Sequence, residues 1–176
     1  GRMWVQAYVS YHPRGGGVVL GMGKGKKGET AGFSFSLFLY KRGQLGHGDD
    51  TSNSEPRMIT ELAGRLITDI STGGVHSAAV AKDNKFYPWG DASYGQLGIK
   101  VSKEKTSVTS PQPVLLENSI EDPLLVTSVA CGGLHTAAIL IDGSICCWGR
   151  GDSGQLGIGP ISDGDEVDFK EFLGRS

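Results

Sequence analysis

The stretch Tyr94–Lys100, "YGQLGIK", contains a Gly-Gln-Leu-Gly tetrad that occurs three times in this chain of 176 residues. The tetrad also lies in "RGQLGHG", which begins at Arg42, and in "SGQLGIG", which begins at Ser153. A motif that returns at intervals of 52 and 59 residues is typical of a protein built from repeated structural units. The tetrad therefore predicts that other parts of a unit recur together with it.

A shift of 59 residues aligns residues 67–99 with residues 126–158 without a gap, and 14 of the 33 aligned positions are identical. The shared elements keep one order, which is Gly-Gly-x-His-[Ser/Thr]-Ala-Ala, Asp, Trp-Gly and the tetrad. Several spaced elements that recur together indicate a structural repeat. The repeat residues of the two units are Gly73, Gly74, His76, Trp89, Gly90, Gly95, Gln96, Leu97 and Gly98, and Gly132, Gly133, His135, Trp148, Gly149, Gly154, Gln155, Leu156 and Gly157.

Each unit has the pattern of a small antiparallel sheet. Residues 126–130, 135–141 and 144–148 are predicted strands, and Asp142-Gly143 is a strong hairpin signal between the last two. A fourth short strand is predicted at residues 113–116. One such sheet cannot bury both of its faces, so successive sheets must stack as propeller blades do. The predicted fold class is all-β, a partial β-propeller of four-stranded antiparallel sheets.

The repeat residues have expected structural roles. The tryptophan of each unit carries a large apolar area beside a glycine, which suits the interface between blades. The tetrad leucine is expected to enter the core, and the tetrad glutamine to hydrogen-bond turn backbone. His76 and His135 have two readings: a buried, hydrogen-bonded residue that every blade needs, or a titrating, ligand-binding ring.

The composition of the chain limits the classes of fold and function that it can have. The chain has 28 glycines, about twice the usual share of ~7%, which predicts many tight turns. A net charge of −2 gives no general attraction to nucleic acid. No apolar run reaches the ~18 residues of a membrane span, and neither a secretory signal nor a membrane is expected. The three cysteines have neither disulfide nor zinc spacing and are predicted to be packing thiols.

The blade pattern begins after residue 41, so the chain is predicted to consist of an N-terminal segment and a region of repeats. Residues 1–41 form an atypical N-terminal segment, followed by units at about 42–66, 67–125 and 126–176. Residues 15–41 are interpreted either as translated intron sequence or as a divergent terminal blade, since terminal repeats are often atypical. The lysines of "GMGKGKKGE" in this segment match neither a phosphate-binding loop nor a dinucleotide-binding fingerprint.

The ordered elements resemble the repeats of the regulator of chromosome condensation family, over residues 42–159. This resemblance implies a seven-bladed propeller. Three tetrads are too few for seven blades, so the missing blades are expected from a longer chain or from another subunit. Without an apolar run of membrane-spanning length or a secretory signal, the expected location is intracellular, either the nucleus or the cytoplasm.

The predicted function is that of a non-catalytic protein-interaction module. No nucleophile recurs with a histidine and an acid, so no catalytic, cofactor-binding or metal-binding residues are assigned. The resemblance implies guanine-nucleotide exchange on a small GTPase such as Ran as the leading specific role, with chromatin as a weaker candidate partner. The polar loop 100–110 is the candidate partner loop, through Lys100, Lys103, Glu104 and Lys105.

Two alternatives stay open. One is a scaffold or chromatin-associated adaptor that binds without exchange. The other is signalling of the kind performed by the plant UV-B photoreceptor, which is similar in repeat form. It is less favoured because that receptor carries clustered tryptophans, whereas here Val75 and Leu134 precede the histidines and no arginine lies between.

Overall fold

The computed structural model describes residues 4–12, 16–24, 30–36, 42–52, 57–99, 101–102, 106–117 and 123–157. Within these residues every assigned strand pair is antiparallel. This confirms the predicted all-β class. The strands are β1 (Trp4–His12), β2 (Gly16–Lys24), β3 (Thr30–Ser36), β4 (Arg57–Met58), β5 (Ile67–Thr72), β6 (His76–Ala81), β7 (Phe86–Asp91), β8 (Ser107–Val108), β9 (Leu116–Glu117), β10 (Pro123–Leu124), β11 (Val126–Cys131), β12 (His135–Leu140) and β13 (Ile145–Gly149), with one 3₁₀ helix at Thr60–Leu62.

The first sheet has the strand order β1-β2-β3-β4. Its last pair joins Phe33 to Met58 and Ser34 to Arg57, so backbone on both sides of the first tetrad belongs to one sheet. The predicted boundary at residue 41 falls between β3 and that tetrad. Whether residues 15–41 derive from an intron stays a prediction, because the gene sequence decides it.

The second sheet has the order β5-β6-β7-β8, and its fourth strand differs from the prediction. The predicted strand at residues 113–116 is represented by an isolated bridge between Val114 and Phe86, while the paired strand is β8. Both segments pair with β7, at opposite ends of it. Pro111 and Pro113 lie between them, and proline cannot donate a ladder hydrogen bond, so this edge strand is interrupted.

The third sheet contains β11, β12 and β13 and repeats the plan of the second. Both sheets turn their hairpin on a residue with positive φ, which is Asn84 at 61° and Gly143 at 84°. A left-handed residue is what a tight hairpin turn requires, and asparagine and glycine adopt it most readily. The counterpart of β8 would fall beyond residue 157, outside the described residues. β9 and β10 pair with each other as a separate two-stranded sheet.

The core lies between the sheets, because strand residues alternate between two faces. One face of the second sheet packs with residues around the first tetrad, and the opposite face packs with the third sheet. The first cluster contains Leu45, Ile59, Leu62, Ile67, Ile70, Ala79, Ala81, Tyr87 and Trp89. The second contains Ala78, Val80, Phe86, Leu116, Val126, Val129, Ala138, Leu140, Cys146 and Trp148.

Among the described residues, no helix has the length and apolar character needed to cross a membrane.

Candidate protein-binding surface

Each tetrad forms a tight turn held by its own glutamine. Its first and last glycines have positive φ, as in Gly95 at 72° and Gly98 at 69°. Gln96 Oε1 accepts a hydrogen bond from the backbone N–H of Tyr94 at 2.8 Å, and Gln155 Oε1 accepts one from Ser153 at 2.8 Å. The glutamine side chain therefore satisfies backbone donors that the turn leaves without a strand partner.

The main-chain carbonyl of the same glutamine binds the following sheet. Gln44 O accepts hydrogen bonds from Trp89 Nε1 at 2.7 Å and from Ser77 Oγ at 3.0 Å. Gln96 O accepts them from Trp148 Nε1 at 2.9 Å and from Thr136 Oγ1 at 2.7 Å. Both indoles are buried, so each tryptophan joins two successive units by a polar bond inside an apolar interface.

His76 belongs to the same junction. Thr136 donates its one hydroxyl hydrogen to Gln96 O, so its oxygen accepts the 2.8 Å bond from His76 Nε2, which must carry the ring proton. His76 Nδ1 is buried and has no hydrogen-bond partner in the described part of the chain. Burial and, to a smaller extent, the charge of His135 together lower the pKa of His76 from 6.5 to about 4, although Asp91 acts in the opposite direction. His76 is therefore neutral near pH 7 and bridges two sheets.

The thiols have no sign of nucleophilic activation. Burial raises the pKa of Cys131 to about 12, and burial also raises the pKa of Cys147. Cys146 packs in the core between the second and third sheets. A thiolate is the reactive form of cysteine, so these thiols are disfavoured as nucleophiles. The described residues also contain no group of three or more His, Cys, Asp or Glu side chains placed to hold a metal ion.

The tetrad turns lie at one end of the sheets, where β7 and β13 finish. We call this surface the tetrad rim, and define it as residues 42–46, 92–98 and 150–157. Tyr94 is 49% exposed there. The Arg150 guanidinium lies 5.3 Å from the centre of the Tyr94 ring, so neighbouring turns contact each other through side chains at the surface.

Ion pairs occur within this rim. Arg150 Nε donates to Asp152 Oδ1 at 2.8 Å, and this bond lowers the pKa of the Asp152 carboxyl. Arg42 Nη1 donates to Asp91 Oδ2 at 2.6 Å, and the Asp91 carboxylate is buried. The other oxygen of Asp91 accepts from Gln96 Nε2 at 2.9 Å. The rim thus presents an aromatic ring and an arginine on a support of charge-assisted bonds.

The candidate partner loop starts from the same rim. Lys100, Lys103, Glu104 and Lys105 lie outside the described residues. Both ends of the loop are described, and the backbone N–H of Ala92 donates to Thr106 O at 2.8 Å across its base. The loop therefore leaves the rim after Gly98 and returns to it at Thr106.

The remaining predicted repeat residues lie at the junctions between sheets or in the rim turns. Leu97 and Leu156 are buried, and Gly74 donates its backbone N–H to Gly132 O at 3.1 Å across the junction. Tyr94 and Arg150 are not among the residues predicted from the repeat motifs. The available signal was variation: the residue before each tetrad is Arg, Tyr or Ser, although the tetrad itself does not change.

Comparison with known proteins agrees with this geometry. A family model described as the regulator of chromosome condensation (RCC1) repeat matches residues 41–80 and 83–139, and a second RCC1 repeat model matches residues 126–155. The chain belongs to the RCC1 repeat family. The resemblance stated from the sequence is thereby confirmed. The junctions between blades described above lie within residues 41–155, the part of the chain that the RCC1 repeat models match.

The relatives are longer proteins. The Ultraviolet-B receptor UVR8 of Arabidopsis thaliana is 36% identical over 137 residues, which are 76% of this chain and 30% of the receptor. The human E3 ubiquitin-protein ligase HERC2 is 36% identical over 130 residues, which are 73% of this chain and 2% of the ligase. The chain therefore spans less than a third of either relative.

Solved propeller structures share the fold. The chain superposes on human WBSCR16 with a TM-score of 0.66 and 25% identity, over 84% of this chain and 33% of that one. It superposes on Prp20p of Saccharomyces cerevisiae with a TM-score of 0.67 and 20% identity, over 91% of this chain and 36% of that one. The predicted partial propeller is confirmed by these matches.

Proposed function

We propose that this chain is a protein-binding module whose contact surface is the tetrad rim. The observation that carries the proposal is the exposed Tyr94 ring with Arg150 stacked over it. Tyrosine and arginine are enriched at the energetic centres of protein interfaces. The Tyr94 backbone is bonded to Gln96 and the Arg150 guanidinium to Asp152, so less conformational freedom is lost when a partner binds.

The specific role we propose is guanine-nucleotide exchange on a small GTPase of the Ran type. Exchange needs no nucleophile, since a bound surface that favours the nucleotide-free GTPase is sufficient. The base of the loop that contains Lys100 lies at the tetrad rim. Family membership and this shared location support the role.

Relatives give the proposal its context. The yeast RCC1 protein Prp20 has been crystallised with Kap60 bound, and the binding properties of Prp20p to Gsp1p and histones have been described. A scaffold that binds such a partner without exchange is the alternative function. UV-B sensing has less support, because Trp89 and Trp148 are buried in different junctions and each bonds the tetrad carbonyl of the preceding unit.

The test is release of a fluorescent guanine nucleotide from preloaded small GTPases, beginning with Ran. We expect this chain to accelerate release, and the double variant Tyr94→Ala with Arg150→Ala to lose at least about tenfold of that acceleration, as interface centres do. Lys85→Ala is the matched control, since Lys85 is exposed and ion-paired with Asp83 at the opposite end of the sheet. Binding without acceleration would support the scaffold, and equal loss with Lys85→Ala would contradict the rim assignment.

A further inference from the structure

One serine-proline dipeptide occurs in the sequence, and it lies beside the first tetrad. Of the 7 prolines, Pro111 is the one that follows a serine or threonine, which is Ser110. A proline ring disfavours helical backbone for the residue before it, so Ser110 is biased toward extended structure. Protein kinases directed by proline act on a serine or threonine in an extended segment with proline directly after it. The dipeptide is therefore a candidate modification site.

The edge of the second sheet is interrupted at this dipeptide. β8 pairs with β7 over its two residues, and the chain meets β7 again at the bridge between Val114 and Phe86. Residues 109–113, all of which the structure describes, have no ladder partner on β7. An edge segment with few backbone hydrogen bonds opens at a lower free-energy cost than a core strand. Local opening would therefore expose Ser110 while the second sheet stays folded.

The segment around Ser110 packs against the first tetrad and the turn that follows it. Gly48 donates its backbone N–H to Thr109 O at 3.0 Å. A Cβ atom at Gly43 would lie 2.9 Å from Thr109 Cα, and one at Gly48 would lie 3.5 Å from Ser110 Oγ. The Ser110 hydroxyl therefore lies at the contact that joins the base of the partner loop to the first tetrad turn.

The side chains that follow this contact carry negative charge. Asp49 and Asp50 come directly after Gly48, and both are exposed. Hydrogen bonds from the hydroxyl and the backbone N–H of Thr51 lower the pKa of the Asp49 carboxyl. Asp49 is therefore ionised near pH 7, and a second anion beside Gly48 would meet like charge.

We propose that Ser110 is phosphorylated by a proline-directed protein kinase, and that the phosphate detaches the base of the partner loop from the first tetrad turn. The kinase transfers the γ-phosphoryl group of ATP to Ser110 Oγ. The bond from the γ-phosphorus to the β–γ bridging oxygen breaks, ADP leaves, and the hydroxyl proton passes to the catalytic base of the kinase. The new group carries about −1.5 to −2 charges. Its repulsion from Asp49 and Asp50 weakens the bond between Gly48 N–H and Thr109 O.

Arg42 is the cation that competes with this repulsion. Its guanidinium is paired with the buried Asp91 carboxylate at 2.6 Å. Transfer of Arg42 to a phosphate would remove the cation from a buried carboxylate, which is costly. Arg57 and His47 act on the Asp49 carboxyl less strongly than the hydrogen bonds from Thr51 do. Repulsion therefore prevails at this contact.

The first experiment asks whether the folded chain accepts the phosphate. The full chain is incubated with ATP and a mitogen-activated protein kinase, and mass spectrometry locates the modified residue. We expect phosphate at Ser110, and none at this position in Ser110→Ala. A synthetic peptide of residues 106–114 is the control for the motif outside the fold. Phosphorylation of the peptide but not of the folded chain, or of neither, would overturn the inference.

The second experiment measures hydrogen exchange at the Gly48 amide by NMR. We expect exchange to become about tenfold faster or more after phosphorylation, because the bond to Thr109 O opens more often. Ser110→Asp should accelerate exchange less, and Ser110→Asn, which is similar in size but uncharged, should leave it nearly unchanged. Equal acceleration in these two variants would contradict the role of charge.

Charge removal on the other side of the contact is the matched control. Asp49→Asn combined with Asp50→Asn should suppress the acceleration that the phosphate causes, since both side chains are exposed and the asparagines carry no charge. Unchanged exchange at Gly48 after phosphorylation would overturn the inference. Slower exchange would overturn it as well, and would show that Arg42 binds the phosphate.

Discussion

The second and third sheets have the same strand plan, but they differ in how many of their faces are covered. The second sheet packs between the first tetrad and the third sheet. The third sheet packs on the second with one face and exposes Ile139 and Ile145 on the other. Apolar residues occupy equivalent positions in both sheets. Their burial is therefore decided by the neighbouring sheet and not by the residue type.

Replacing Trp89 is expected to cause the largest loss in the free energy of unfolding. Trp89→Ala removes a buried ring and leaves Gln44 O with one donor, so we expect a loss of about 3–5 kcal/mol in the free energy of unfolding. Trp89→Phe keeps most of the ring and should lose less, about 1–3 kcal/mol for the missing N–H donor. Urea titration measures both. A Trp89→Phe variant as stable as the unsubstituted chain would contradict a role for the indole N–H.

Phe86→Ala and Ile145→Ala test the two sheet faces directly. Phe86 is 1% exposed and meets Trp148 edge-on at 5.6 Å, whereas its counterpart Ile145 is 48% exposed. We expect Phe86→Ala to cost about 3–5 kcal/mol and Ile145→Ala less than about 1 kcal/mol. Urea titration again measures the difference. Similar costs would show that Ile145 is covered in solution.

Acid should weaken the junction that contains His76. The pKa of His76 is 6.5 in the unfolded chain and about 4 in the folded chain, so the unfolded state binds more protons between these values. The contribution of neutral His76 to stability is fully present above pH 6.5 and decreases as the pH falls toward 4. The total contribution is about 3 kcal/mol, at ~1.36 kcal/mol per pKa unit.

The control for the acid prediction is His76→Gln, which cannot titrate. Unfolding of this variant should lose most of the pH dependence between pH 6.5 and 4, the interval set by the two pKa values. His135 and Asp91, the charged or titratable groups that act on His76, are unchanged in the variant. An unchanged pH dependence in His76→Gln would assign the effect to another group.

The last prediction concerns Asp69, whose equivalent position in the third sheet is occupied by Ser128. Asp69→Ala removes the acceptor for Val129 N and Ser128 Oγ, so we expect a loss of about 1–3 kcal/mol. Ser128→Ala removes one of these two bonds and should cost less. Thermal unfolding measures both variants. A larger loss for Ser128→Ala would contradict the assignment of the junction to the carboxylate.

Local strand structure could be predicted because it depends on short stretches of sequence. Asp142-Gly143 identified the hairpin, and the predicted strand at residues 126–130 lies within the observed β11. The fourth strand was misplaced, because an edge strand is defined by its pairing with β7 rather than by its own pattern. Pro111 and Pro113 interrupt that pairing, and only the register shows which residues remain bonded.

The candidate surface was predicted less completely. The loop that contains Lys100 was identified from its polar composition, and the structure places its base on the tetrad rim. Tyr94 and Arg150 were not identified, since they are 56 residues apart in the sequence and meet only because neighbouring turns stack. A contact between units leaves no pattern within either unit.

The sequence by itself determined the repeat, the three inner strands of each unit, its turns and its family, because these follow from the order of glycine, tryptophan and tetrad along the chain. Tertiary structure alone decided which carbonyl each tryptophan bonds, which face of each sheet is covered, and which side chains share the rim. The physical reason is that hydrogen bonding and burial at a junction belong to two units at once. Val80 and Ile139 are both apolar, and only the presence of a neighbouring sheet makes one buried and the other exposed.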